Sequence, residues 1–205
     1  VDCLFLIQNP PKVAFEPFNA NWKVATQLKS TKKKYTFTAP NLAYFMDSPT
    51  ELSDHQVKSW TVNSNGKDYK INLAVHHNGI EEDLVEFARK AKAIVAEQIK
   101  VYGELPDFDY GEYTFIACYL PHVNRDGMEH RNSTILTNTK SLDEGDFSQI
   151  GTLSHEFFHA WNVERIRPKA LEPFDFNAAN MTTNLWFAEG FTSYYDKLMI
   201  RRAQE

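Results

Sequence analysis

Sulfur is scarce in this chain: Cys3 and Cys118 are the two cysteines in 205 residues, far apart in sequence. They cannot form a C-x-x-C metal or redox motif, two thiols are too few to indicate a compartment, and each reads as a buried, inert side chain. No apolar run approaches the roughly 20 residues needed to cross a bilayer, which excludes a membrane-spanning helix. Basic residues are outnumbered, 22 Lys and Arg against 27 Asp and Glu, for a formal net charge of −5. The densest basic run, Lys32, Lys33 and Lys34, reads as a solvated turn, so a nucleic-acid partner is disfavoured. Repeats and low-complexity segments are lacking as well. The first residues, "VDCLFLI", have no starting Met and are strand-like at once, and no signal peptide is visible. The last, "SYYDKLMIRRAQE", lie in or just after a helix without a cap residue. The sequence therefore reads as a piece of a longer polypeptide, and its compartment stays open between cytoplasm, periplasm and exterior.

What is present points to a packed chain. Aromatic residues make up 14% and charged residues 24%, and the length suits one large domain or two small ones. Residues 1–75 read as a β-rich N-terminal domain, from the short runs "KVAFEPF", "WKVATQL", "KYTFTA" and "LAYFMDS". In "SWTVNSNGKDYKINLAV", Asn65-Gly66 tolerates the positive φ of a tight turn and predicts a hairpin. His55, His76 and His77 read as packing or surface residues. The period then changes: Ile80, Leu84, Phe87, Ala88, Ala91, Ile94, Val95 and Ile99 share one helical face. Glu81, Glu82 and Asp83 sit at the positive end of that helix's dipole, and Gly103 with Pro106 stops it. "EYTFIACYL" reads as a buried strand, "PHVNRDGMEHRNST" as a polar loop and "TILT" as a second strand. Asp143, Glu144, Gly145 and Asp146 lead into another helix, a long ordered loop follows it, and "NLWFAEGFTSYYDKLMI" is a final helix. The fold class is α+β, with residues 76–205 forming a second domain.

The chemistry is concentrated in "TLSHEFFHAWN". His155 and His159 are four residues apart, which puts both imidazoles on one helical face, one turn apart, able to grip one small cation. Glu156 projects beside them, where it reaches a water activated by the metal rather than the metal itself. This is H-E-x-x-H, two ligands and a general base. Ile150, Leu153, Phe157 and Trp161 supply an apolar face, so the histidines lie where core meets cleft. Catalytic zinc normally takes a third protein ligand, and Glu189 is the candidate. It is a lone acid amid Trp186, Phe187, Ala188, Gly190 and Phe191, and an ionised carboxylate there needs a partner.

"HEFFHAWNVERIRP" followed by "LWFAEGFTSYY" resembles the M61 family of metallopeptidases, the glycyl aminopeptidases, within the thermolysin-like gluzincins. The resemblance covers roughly residues 110–200, with "AYFMDSP" as a weaker upstream echo. It implies His155, His159 and Glu189 as ligands of one Zn²⁺ and Glu156 as general base and proton shuttle. It also implies that an all-β region is followed by the N-terminal lobe of a thermolysin-like peptidase domain, truncated at its C-terminal end. The interval from His159 to Glu189 is longer than in thermolysin and the M1 aminopeptidases but fits the M61 pattern. Ser193 stands where thermolysin has an acidic residue one turn after its glutamate ligand, so the groups behind the ligands must differ. "DGMEHRN" resembles the G-x-M-E-N segment of M1 aminopeptidases, which implies a substrate-binding role for Gly127, Met128 and Glu129. Glu129 would hold the free amino group of a peptide, with the strand "TILT" offering its edge to the peptide backbone. His130 replaces the Asn of that pattern.

The resemblance implies an aminopeptidase that releases small N-terminal residues, Gly or Ala, from peptides with a free N-terminus. Two rivals stay open: a zinc endopeptidase without amine capture, and a zinc-binding scaffold without catalytic activity. In the family, the rest of a helical lobe and often a PDZ domain come next, and the oxyanion donor lies in that lobe. This stretch by itself would then be weakly active or inactive. Tyr194 and Tyr195 would sit too close to the ligand to replace the donor. The final helix (Phe191, Tyr195, Leu198, Met199) would be partly unburied and prone to self-association.

Overall fold

The computed structural model of the chain describes residues 9–144 and 146–204. The strand-like "VDCLFLI", Cys3 and Gly145 lie outside the described residues. The predicted hairpin forms from β6 (Gln56–Ser64) and β7 (Lys67–His77), with Asn65 and Gly66 at φ 52° and 75° in the turn between them. Positive φ at both central positions gives a turn whose twist matches that of the strands. β8 (Glu112–Tyr119) is buried on both faces and runs parallel to β7, as a strand covered on both sides can. β10 (Ser133–Asn138) runs parallel to β8, and β9 (Asp126–His130) pairs antiparallel with β10. The order across the sheet is β6-β7-β8-β10-β9.

This order corrects two expectations. "DGMEH" is a strand, not part of a loop, and the free edge beside the motif helix is β9, not "TILT", which is enclosed between β8 and β9. β9 carries a glycine and three ionisable side chains, so no apolar alternation marks it. Its order comes from the ladder with β10.

α2 (Glu81–Tyr102) ends at Gly103, whose φ is 83°, and buries Leu84, Phe87, Ala88, Ala91, Ile94 and Val95 as its periodicity predicts. Ile80, placed on that face by spacing, is instead 62% exposed at the N-cap, where its N–H donates to the Asp83 carboxylate at 3.0 Å. α3 (Ile150–Phe158) and α4 (Leu185–Ala203) complete the helical layer. The core lies between this layer and the sheet, where Leu73, Val75, Phe115 and Leu136 meet Leu84, Phe87, Leu153 and Phe157. Of the α4 face expected to be partly unburied, Phe191 is exposed and Tyr195 and Leu198 are half-buried, with Tyr195 stacked on Phe158, whereas Met199 is fully buried; Trp186 and Tyr194 are exposed as well.

In the N-terminal part, β1 (Lys12–Ala14), β4 (Thr36–Thr38) and β3 (Lys29–Ser30) form one small sheet, and β2 (Lys23–Thr26) pairs with β5 (Thr50–Ser53). "LAYFM" is not a strand but α1 (Leu42–Met46). The Asn41 side chain accepts the Tyr44 N–H at 2.8 Å, an N-cap that outweighs the strand preference of Tyr and Phe in so short a segment. The division expected after residue 75 falls inside β7, in a sheet continuous to β9. We propose to draw it between β5 and β6. Lys32, Lys33 and Lys34 are exposed, as a solvated turn requires. Cys118 is a free, half-buried thiol pushed up to about 11 by burial, consistent with an inert side chain. No helix among the described residues is long and apolar enough to cross a membrane.

One buried polar chain crosses the helical layer. Gln98 of α2 donates to the Ser154 carbonyl at 2.6 Å, and the Ser154 hydroxyl donates to the Asp196 carbonyl of α4 at 3.0 Å. Gln98→Leu keeps the volume but removes the side-chain donor to the buried Ser154 carbonyl. The expected loss is about 1–3 kcal/mol, read as a lower urea midpoint at unchanged slope.

Candidate metal centre

α3 brings His155 and His159 onto one face, and α4 carries Glu189 to them. His155 Nε2 lies 3.2 Å from His159 Nε2 and 3.2 Å from Glu189 Oε2, and His159 Nε2 lies 3.6 Å from the same oxygen. Three ligands held about 2.0–2.1 Å from a tetrahedral zinc are separated by about 3.3–3.4 Å, so the triangle fits such an ion. The other ring nitrogens fix the lone pairs. His159 Nδ1 is 2.7 Å from the Asn162 carbonyl, which can only accept, and His155 Nδ1 is 2.8 Å from Asp196 Oδ2. Both Nδ1 atoms therefore carry protons, and both rings turn Nε2 toward the Glu189 carboxylate, as a lone pair when the ring is neutral and as an N–H when it is charged. Two such lone pairs and a carboxylate converging on one point call for positive charge between them, which a proton on an imidazole or a metal ion supplies.

The titration of these groups reflects the same demand. The hydrogen bond to Asp196 raises His155 more than burial lowers it. Burial also opposes charge on His159, but the hydrogen bond to Glu189, the field of Glu129 and the Asn162 carbonyl lift it to about 9. Glu189 is lowered, chiefly by its hydrogen bond with His159. Glu156 goes the other way, pushed up to about 7 by burial. A carboxyl near neutrality has the basicity of a general base.

Asp196 and Asn162 are the residues that sequence reasoning did not assign. Asp196 lies seven positions after Glu189, two helical turns on and so on the same face. It takes the place that Ser193 left vacant in the thermolysin comparison. Asn162 holds His159 through its carbonyl while its side chain donates to the Ala188 carbonyl at 3.1 Å and to Thr192 Oγ1 at 3.2 Å. It thereby sets the register of the Glu189 helix against the histidine helix. A lone acid in "SYYDKLMI" and a lone amide in "HAWNV" were the available signals.

Across the cleft stands β9. Gly127 lies against Glu156: a Cβ built on it would meet Thr152 Cγ2 at 2.7 Å and Glu156 Cδ at 2.8 Å. The glycine leaves the space that the carboxylate occupies. Ligand atoms of Glu129, Glu156 and His159 all lie within 4.8 Å of one another. Among the described residues the Glu129 carboxylate has no hydrogen-bond or ion-pair partner, while Met128 is 54% exposed. The strand is held in place from the N-terminal side. Asp47, at the end of α1, accepts from His130 Nδ1 at 2.9 Å and from the Arg131 N–H at 3.1 Å. Gln27 donates to the Asp47 carbonyl at 2.7 Å and accepts the Asn132 N–H at 2.8 Å.

The sequence profile of the M61 glycyl aminopeptidases matches residues 148–205, and that of the peptidase M61 N-terminal domain matches residues 6–54. The chain belongs to peptidase family M61. The second match ends between β5 and β6, where the sheets also divide. No curated protein sequence matches the M61 chain significantly. Among solved structures, it is similar to an aminopeptidase N family protein from Idiomarina loihiensis, at 25% identity and TM-score 0.74, over 96% of this chain and 35% of that one. It also shares its fold with an M1 zinc metallopeptidase from Deinococcus radiodurans, at 16% identity and TM-score 0.51, over 96% of this chain and 40% of that one. The chain thus spans about a third to two fifths of the structures it matches.

Two measurements probe this geometry in the complete M61 protein. Asp196→Ala frees His155 to rotate and is expected to weaken zinc binding by about 10–100-fold, read by competition with a chromogenic chelator. Gly127→Ala must displace Glu156. It is expected to lower kcat by about 10²-fold while zinc content stays at the wild-type level.

Proposed function

We propose that the complete protein is a zinc-dependent aminopeptidase, with His155, His159 and Glu189 holding the metal. The observation that carries the reading is Glu129, an unpaired carboxylate on a free strand edge within 4.8 Å of Glu156 and His159. An anion there without a partner is a receptor for a cation, and the α-ammonium of a peptide is the cation that would place the first peptide bond beside Glu156. Zinc, when bound, supplies a Lewis acid that polarises the scissile carbonyl and lowers the pKa of a water.

The remaining steps belong to this chain. The edge of β9 pairs with the backbone of an extended peptide. Glu129 fixes the N-terminus and so the register. Glu156, buried and raised to about 7, takes a proton from the attacking water and returns it to the departing amine. Asp196 and the Asn162 carbonyl keep the rings in the tautomer that turns Nε2 inward. Release of Gly or Ala is what the family resemblance implies.

The test uses the complete enzyme with zinc added. Glu156→Gln should retain zinc yet lose about 10²–10⁴-fold in kcat. Glu129→Ala should lose about 10–100-fold in kcat/KM on free-amine peptides, and N-acetylated peptides should be poor substrates. Efficient cleavage of acetylated peptides would replace this reading with the endopeptidase. Zinc binding with no hydrolysis would leave the scaffold.

A further inference from the structure

The two halves of the proposed site sit on different elements. The candidate metal ligands and Glu156 belong to α3, its C-terminal end and α4, and Glu129 belongs to β9. Among the described residues no hydrogen bond joins β9 to α3. Where they meet, at Gly127 and Glu156, the contact is steric. It limits how closely the strand approaches the helix and does nothing to keep it from drawing away.

One side chain supplies the tether. Arg165 lies in the segment after the motif helix, where its backbone N–H donates to the Trp161 carbonyl at 3.0 Å. Its Nη1 donates to the Arg131 carbonyl and, at 3.2 Å, to the Ala160 carbonyl. Ala160 follows His159, and Arg131 stands two residues after Glu129. A single nitrogen therefore bridges the end of the histidine helix and the end of the strand that carries Glu129. Nη2 donates to Asn132 Oδ1 at 3.0 Å and to the Asp107 carbonyl at 3.3 Å. Asn132 is itself fixed, its side chain donating to Tyr44 Oη and to Asp109 Oδ2, both at 2.9 Å.

The chemistry of this tether is specific to arginine. All four acceptors are uncharged oxygens, and the guanidinium lies over the Phe108 ring, 5.5 Å from its centroid. A half-buried cation held by carbonyl and amide oxygens, without a carboxylate in contact, is a costly source of stability. It is a suitable source of geometry. The planar fork holds four acceptors in set directions, which a lysine ammonium cannot do.

Resting on the aminopeptidase reading, we propose that Arg165 is a positioning residue for amine capture: it sets the distance of Glu129 from the metal ligands and acts on the reaction through Glu129 alone. Without the fork, β9 is an edge strand with one ladder and draws away from the helix. The histidine helix keeps its own ties to α4 through Ser154 and Asn162. Zinc is then retained while the substrate's ammonium is held in the wrong place.

The test is a double-mutant cycle in the complete enzyme with zinc added, assayed on glycine and alanine chromogenic amides. The four proteins are the wild type, Arg165→Lys, Glu129→Ala and the double variant. Arg165→Lys keeps the charge and drops the fork. It should lower kcat/KM by about 10-fold, mainly through KM, with zinc content at the wild-type level. In the Glu129→Ala background the same substitution should cost about twofold or less. Equal losses in both backgrounds would overturn the proposal, because Arg165 would then be a stability element alone. Loss of zinc in Arg165→Lys, or a fall in kcat at unchanged KM, would overturn it as well. If Arg165→Lys does not fold by circular dichroism, the cycle is run with Arg165→Met, which keeps the stem against Phe108. Failure of both variants to fold would likewise refute the positioning role. A Glu129→Ala enzyme as active as the wild type would instead bring down the aminopeptidase reading, and the role of Arg165 with it.

Discussion

Two hydrogen bonds on the outer sides of the histidines decide the centre. The Asn162 carbonyl can only accept, so His159 Nδ1 must donate, and Asp196 draws the same proton placement from His155. Both rings are then committed to turning Nε2 inward at a carboxylate. That arrangement calls for positive charge, which a proton shared with Glu189 or a metal ion can supply. The layer that carries it is otherwise dense and apolar, with Phe157 fully buried and Phe158 and Trp161 nearly so. Three ligand atoms turned inward together are the form a site takes when it is organised for a cation before one arrives.

The supporting groups also show why spacing along one helix is not sufficient. His155 and His159 share α3, but Glu189 and Asp196 share α4, and the angle between the helices sets the triangle. Asn162 and Ser154 fix that angle, the first by gripping the α4 backbone near Glu189 and the second by donating to the Asp196 carbonyl. Gln98 extends the tie to α2. Gln98, Ser154 and Asn162 thus each bond to a neighbouring helix, so a shift in one helix is transmitted to the candidate metal ligands.

The parts of the fold that were legible in sequence carry their own pattern. Asn65-Gly66 encodes the turn of its hairpin in two residues. α2 encodes a face in its period, and Gly103 encodes its stop. The His155–His159 pair needs only a helix to be read. The parts that were not legible depend on distant partners. β9 is a strand because β10 lies beside it, and its own residues include a glycine and charges. α1 holds strand-forming aromatics and is decided by a single cap at Asn41. Asp196 could be placed only by knowing that seven residues along α4 return to the face of Glu189 and that His155 waits there. The boundary placed at residue 75 followed composition, which cannot see that β7 pairs with β8 across the intervening helix.

The two halves of the site are anchored to different parts of the chain. The metal ligands hang from α3 and α4, whereas Glu129 hangs from an edge strand whose far end is held by Asp47 and Gln27. An edge strand has one ladder and is the easiest element of a sheet to displace. Its second attachment here comes from the N-terminal part, through a carboxylate that takes both a backbone N–H and the imidazole of His130. That contact explains why His130 replaces an asparagine of the related pattern: the ring is long enough to reach Asp47, and it pairs with the charge there. The N-terminal part is therefore a structural member of the site. On the proposed function, it would fix the separation between Glu129 as amine receptor and the candidate metal ligands, and that separation would determine which peptide bond lies beside Glu156.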